Sequence, residues 1–276
     1  MNINSVKVLN NGVKMPIFGL GVYLSQAGEE TVNAVSCALK AGYRLIDTAT
    51  AYQNEEFVGE GIRRSGICRQ EIFITTKMGR VAQREDRQEE LFEESLKKLG
   101  TDYIDLYLIH WPIQNKYVKS WKLMEKWYKE GRIRAIGVSN FHEQHLEDIF
   151  ACSAVVPAVN QIELHPLFSQ KKLRAYCDQH NIAVQAWSPL GGNGTNLIND
   201  PRILAIAEKH NKTGAQIIIR WDIQSGVLTI PKSVHPQRII QNADVFDFSL
   251  TDEEMQQIDE MNRDQRIGPD PDVPAY

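Results

Sequence analysis

Along the chain, short runs of apolar residues alternate with longer stretches in which apolar positions recur every three or four residues. The first pattern predicts strands buried on both faces, and the second predicts amphipathic helices. The runs are "IFGLG" with a helix over 28–41, "YRLID" with 54–64, "IFITTK" with 86–98 and "IDLYLIH" with 118–130. They continue as "IRAIGVSN" with 142–150, "AVNQIE" with 169–179, "IAVQAWS" with helices over 200–210 and 213–225, and "GVLTIPKS" with 235–241. Ahead of them "VKVLNNGVKMP" alternates around Asn11-Gly12, the signature of a type I′ hairpin that would cap one end of the domain.

Strands joined through helices pair in parallel, and eight such units in 276 residues predict an α/β TIM (β/α)8 barrel. The expected architecture is one domain over residues 1–276, with the N-terminal β-hairpin as cap and a short C-terminal tail. A doubly wound open sheet is the rival. It has fewer units as a rule and often a GxGxxG turn, whereas "GLGVYL" places Leu24 at the third glycine, and no Walker A motif occurs.

Composition then narrows the partner. With 31 basic and 35 acidic residues the net charge is -4, which offers nothing to nucleic acid or an acidic membrane surface. No apolar run approaches the roughly 18 residues of a membrane span, and the N-terminus lacks a signal-like h-region. Cys37, Cys68, Cys152 and Cys177 are scattered without a CxxC pair, so reduced thiols in a cytoplasmic protein are expected. The absence of a long exposed apolar stretch predicts a monomer, and the ligand is expected to be small.

In a TIM barrel, chemistry sits at the C-terminal ends of the strands. Those ends carry Tyr23, Asp47 with Tyr52, Lys77, His110, Ser139 and Asn140, Gln161, Trp187 with Ser188, and Lys232 with Ser233. An Asp after a strand is commonly a helix cap and a Lys is commonly solvated. Four such residues at adjacent strand ends point instead to one device. Tyr52 is a proton donor whose reference pKa of about 10 would be lowered by the Lys77 ammonium, itself held by Asp47. His110 would orient a substrate oxygen.

A proton donor without a nucleophile implies addition across a polar double bond, with the hydride coming from a cofactor. "IPKSVHPQRIIQN" supplies Lys232 and Ser233, then Arg238 and Asn242 on one helix face, a place for the ribose monophosphate of NADPH. Trp187 offers a face for a nicotinamide, Ser139, Asn140 and Gln161 offer amide-recognising groups, and "PLGGNGTN" is a loop able to close over a diphosphate.

The chain resembles the aldo-keto reductase superfamily over essentially its full length. The resemblance rests on the opening stretch through Gly59, on "IRAIGVSNF" and on "IPKSVHPQRIIQN". "LIHWP", "NQIELHP" and "AWSPLG", with the tail "GPDPDVPAY", are most similar to the compact branch of diketogluconate reductases, trypanosomal-type prostaglandin F synthases and bacterial glyoxal reductases. The resemblance implies catalysis by Asp47, Tyr52, Lys77 and His110. It implies NADPH bound by Gly21, Tyr23, Asp47, Ser139, Asn140, Gln161, Trp187, Ser188, Leu190, Lys232, Ser233, Val234, Arg238, Gln241 and Asn242. A small carbonyl substrate would meet Tyr52, His110, Trp111 and Tyr23.

Two departures stand out. Gln241 occupies a position where the family often has Glu, and "KMGRVAQ" has Gly79 where the branch carries a tryptophan. One aromatic wall of the pocket is therefore expected to be missing. Short rim segments, "PIQNKYVKS" and the tail after Asn262, predict an open pocket and broad acceptance of small aldehydes and α-dicarbonyls. The alternatives are an NADPH-binding redox-sensing or regulatory subunit with little turnover, and a metal-dependent barrel hydrolase. His142 and His145 are three apart on a helix but have no third ligand nearby in sequence, so no metal is expected.

Overall fold

The computed structural model describes residues 1–192 and 195–273. Asn193 and Gly194 of the glycine-rich loop and the last three residues of the tail lie outside them, so the expected closure over a diphosphate falls partly on residues not described.

Two short antiparallel strands, β1 (Val6–Val8) and β2 (Lys14–Pro16), form the hairpin. Its turn differs from the expected type I′. Gly12 N–H donates to Leu9 O and Leu9 N–H to Val13 O, both at 2.9 Å, and Gly12 but not Asn11 has a positive φ. This is a type I turn closed by a glycine bulge. Asn11 is otherwise engaged: its Nδ2 donates to Arg134 O at 3.0 Å and its Oδ1 accepts from Val13 N–H at 3.2 Å. The turn is thereby tied to the barrel.

The barrel strands are β3 (Leu20–Gly21), β4 (Leu45–Asp47), β5 (Phe73–Met78), β6 (Ile104–Ile109), β7 (Ile133–Ser139), β8 (Val159–Glu163), β9 (Ala183–Trp187) and β10 (Leu228–Thr229). All neighbours are parallel and in sequence order, β3 to β10. Parallel bridges of Phe18 with Thr229 and Gly21 with Lys232 join the first strand to the last and close the ring. At this seam only a residue without a side chain fits at Gly21, because a Cβ there would lie 2.7 Å from Ile230 O.

The connecting helices are α1 (Glu29–Lys40), α2 (Glu55–Ser65), α3 (Arg80–Arg84), α4 (Gln88–Leu99), α5 (Tyr117–Lys129), α6 (Glu143–Cys152), α7 (Lys171–Gln179), α8 (Pro201–His210), α9 (Gly214–Gln224), α10 (Pro236–Ala243) and α11 (Asp252–Asp259). The short α3 and the C-terminal α11 have no counterpart among the sequence expectations.

Strand residues divide strictly by parity. Leu45, Phe73, Leu106, Leu108, Ala135, Val159, Ala183, Leu228 and Ile230 form one buried cluster inside the barrel, and Leu9 and Met15 of the hairpin segment close it from below. The alternate residues, among them Ile46, Ile74, Tyr107, Ile136 and Ile162, pack outward against the helices in the larger cluster. No helix among the described residues is long and apolar enough to cross a membrane.

Candidate active site

The parity that buries apolar side chains at the barrel floor carries polar ones to its mouth. Two residues on from Leu45 is Asp47; Phe73 leads through Thr75 to Lys77; Leu108 leads to His110; Ala135 leads through Gly137 to Ser139. Val159 leads through Gln161 to Glu163, Ala183 through Gln185 to Trp187, and Ile230 to Lys232. A side-chain period of two thus converts the chain's own order into a site.

Lys77 is fully buried at its centre. Its ammonium donates to Asp47 Oδ1 at 2.5 Å, to Thr48 O at 2.9 Å and to Tyr52 OH at 3.2 Å. Burial works against this cation, but Asp47 and Tyr52 outweigh it and hold the proton more tightly than in an ordinary lysine. Asp47 is pushed up by burial and pulled back by Lys77 and by Gln161, whose amide Nε2 donates to Oδ2 at 2.7 Å. The close contact between the two makes them an ion pair. For Tyr52 the sequence expectation is corrected: burial raises its pKa above the usual 10 and outweighs the lowering by Lys77, while Asp47 raises it further.

The His110 ring meets Tyr52 edge-on at 5.6 Å. Burial, then the charges of Lys77 and Arg80, lowers its pKa well below the ordinary histidine value, so it is a neutral imidazole. Tyr23 lies 5.0 Å from Tyr52, ring to ring, and is exposed. Trp111 stands 6.4 Å from His110 with the Arg80 guanidinium 4.6 Å from its ring. Gly79 has a local reason: Thr50 Oγ1 accepts its N–H and lies 2.8 Å from where a Cβ would stand. Beside Gly79, Arg80, a residue that sequence reasoning missed although it sits within the departure already noted, lays its guanidinium on the Trp111 ring.

The candidate cofactor groups partly satisfy one another. Asn140 is left-handed, with φ 63°; it donates to His110 O and Ser139 Oγ and accepts from Trp187 Nε1–H at 2.8 Å. Gln161 commits its amide N–H groups to Asp47 and to Gln185 Oε1. Ser188 and Leu190 follow Trp187, Ser188 with φ 49°. On the far side, Lys232, Arg238 and Gln241 are exposed, Val234 is half-buried, and Ser233 and Asn242 are buried. Proline at the first position of α10 helps start that helix.

Glu163, not singled out from the sequence, ends β8 beside Trp187 of β9. Its buried carboxylate accepts the backbone N–H groups of Ile267 at 2.6 Å and Gly268 at 2.9 Å, and lies 3.1 Å from His165 Nε2. Gly268 packs so closely on the Trp187 ring that a Cβ would collide with it. The tail, expected to leave the mouth open, is instead strapped across one side of it. The view that His142 and His145 lack further ligands is also corrected. Asp270 and Asp272 come to His142, whose Nδ1 is 2.8 Å from Asp272 Oδ2. Arg266, 3.5 Å from His142 Nε2 and 4.0 Å from Asp270, supplies the positive charge of that group.

A parallel barrel that gathers a phenol, an ion-paired lysine and a neutral histidine at the carboxyl ends of its strands has the layout of an oxidoreductase. The chain belongs to the aldo/keto reductase family, whose model matches residues 18–263. It is 54% identical over 272 residues to the 9,11-endoperoxide prostaglandin H2 reductase of Trypanosoma cruzi, covering 98% of this chain and 96% of that one. It is 52% identical over 264 residues to the glyoxal reductase of Bacillus subtilis, covering 96% and 95%. A solved aldo-keto reductase of Bombyx mori in complex with NADP superimposes with a TM-score of 0.91 at 39% identity, covering 98% and 96%.

Proposed function

We propose that the protein reduces aldehydes and ketones to alcohols with NADPH, Tyr52 acting as general acid. The observation that carries this reading is the Lys77 ammonium, which touches Asp47 and the Tyr52 hydroxyl together. NADPH, when bound, supplies the hydride. A substrate carbonyl resting on Tyr52 and His110 accepts a hydrogen bond from each, the neutral imidazole offering its N–H. As negative charge develops on that oxygen, the phenol gives up its proton to it. The phenolate left behind is stabilised by Lys77, which Asp47 and Thr48 O hold in place.

The residues present fit the cofactor. No carboxylate among the described residues pairs with Lys232 or Arg238, so two cations stand ready for a phosphate, beside a Ser233 hydroxyl that accepts from His235 N–H at 3.2 Å. Trp187 has its N–H fixed by Asn140 and its ring backed by Gly268, which suits the stacking of a flat carboxamide-bearing ring. The relatives named for glyoxal and methylglyoxal reduction favour small aldehydes and dicarbonyls as the substrate class.

The test is Tyr52→Phe. Reduction of small aldehydes, followed as loss of NADPH absorbance, should fall by a factor of about 10² to 10⁴ or more, with NADPH affinity close to normal. Turnover retained by the variant would mean that another group delivers the proton.

A further inference from the structure

Arg80 follows Gly79 at the exit of β5, three residues beyond Lys77. Its guanidinium carbon lies 4.6 Å from the Trp111 ring, whose own centre is 6.4 Å from His110. The guanidinium is thus no farther from the histidine than those two spans laid end to end. The stack is braced from the same short helix, because Gln83 Nε2 donates to Trp111 O at 3.0 Å.

What distinguishes this arginine is what it lacks. Its Nε is buried without a hydrogen-bond partner, and no carboxylate among the described residues lies within ion-pair reach of it. Other arginines that are half-buried or buried are served: Arg69 has Asp105 and Arg132 has Glu93, while Arg44, Arg174 and Arg220 donate to backbone carbonyls. A partly desolvated cation without a counterion costs stability that an incoming anion restores. Burial, and then Arg84, disfavours its charged form, in keeping with an unneutralised position. With one face of the guanidinium on an indole, the planar edge with its N–H fork remains for a two-oxygen anion.

We propose that Arg80 reads a carboxylate on the carbonyl substrate, so that the preferred substrates are oxo acids whose carboxylate lies a few bonds from the carbonyl carbon. This rests on the carbonyl-reductase reading and sharpens it. Tyr52 and His110 hold the carbonyl oxygen, Trp111 walls the intervening apolar segment, and Arg80 binds the far end. A phosphate offers similar oxygens, and the experiment separates the two.

Steady-state kcat and KM are measured with NADPH for 4-oxobutanoate against its methyl ester, and for glyceraldehyde 3-phosphate against glyceraldehyde, using the wild type, Arg80→Gln and Arg80→Lys. The wild type should favour 4-oxobutanoate over the ester by about tenfold or more in kcat/KM, the worth of a charge-assisted pair. Arg80→Gln should remove that advantage, mainly through KM, and leave the ester within about twofold. Arg80→Lys should restore part of it. Equal losses on acid and ester would reduce Arg80 to a prop for Trp111, and a preference confined to the phosphate pair would overturn the carboxylate assignment. A readout independent of turnover is quenching of tryptophan fluorescence by succinate, expected in the wild type and absent in Arg80→Gln. If succinate quenches in an Arg80-dependent way while no carbonyl is reduced, the anion site stands and the carbonyl-reductase reading falls.

Discussion

A phenol is a reluctant acid, and at Tyr52 burial makes it more so. In the proposed reaction the site would provide asymmetry between states: the neutral phenol is stable beforehand, and the ammonium 3.2 Å away favours the phenolate as it forms. His110 shares that logic, since a neutral ring donates without competing for the proton. At the same scale, Arg238 and Lys232 are exposed cations without acidic partners among the described residues, while most surface cations here are paired. Arg238→Ala should therefore weaken NADPH by about tenfold or more and leave NADH within about twofold, measured by titration of protein fluorescence. Equal weakening of both would remove the phosphate role.

Among the elements, the long amphipathic helices and the middle strands were legible because their periods are unambiguous. The order of strand ends followed from them, and with it Asp47, Lys77 and His110. Other features were not legible. The short α3 lacks enough turns to show a period, and α11 is announced only by a capping box, Thr251 with Glu254. The tail's path depends on a carboxylate a hundred residues away. That contact makes a prediction: Glu163→Gln puts an amide where two backbone donors converge. The Ile267 and Gly268 amides should lose hydrogen-exchange protection, and stability should drop by about 1–3 kcal/mol in a denaturant titration. Gly268→Ala, which keeps the carboxylate but sets a Cβ 2.4 Å from the Trp187 ring and 3.0 Å from Glu163 Oε2, should disturb Trp187 fluorescence.

For the molecule as a whole, parity and closure matter more than any single strand. Sequence patterns cannot say which residue faces inward until the ring is closed, which is why Gln185 beside Gln161 went unremarked and why only Gly79, and not the Arg80 that follows it, drew notice. Closure also buries Asp222 of α9, whose Oδ2 accepts from Thr229 Oγ1 at 2.7 Å while Oδ1 has no partner. Burial raises its pKa well above 3.8, against smaller opposing effects of Thr229 and Arg174. The folded protein therefore keeps a proton that the unfolded chain releases, and stability from this group falls as pH rises from 3.8 through the folded value. Asp222→Asn should add about 1 kcal/mol or more at pH 8 and nothing below about pH 3.8, read from denaturation midpoints across pH. A gain that did not vary with pH would mean the carboxyl is ionised in the folded state.

The seam joins Phe18 to Thr229 and Gly21 to Lys232, residues from opposite ends of the chain. During synthesis the first strand must wait, its partner edge exposed, until the ribosome has released nearly everything else. Lys232 takes its register from that last pairing, so the proposed phosphate cradle comes into being only when the ring shuts. A nascent or nicked chain could hold every catalytic residue and still be unable to retain its nucleotide.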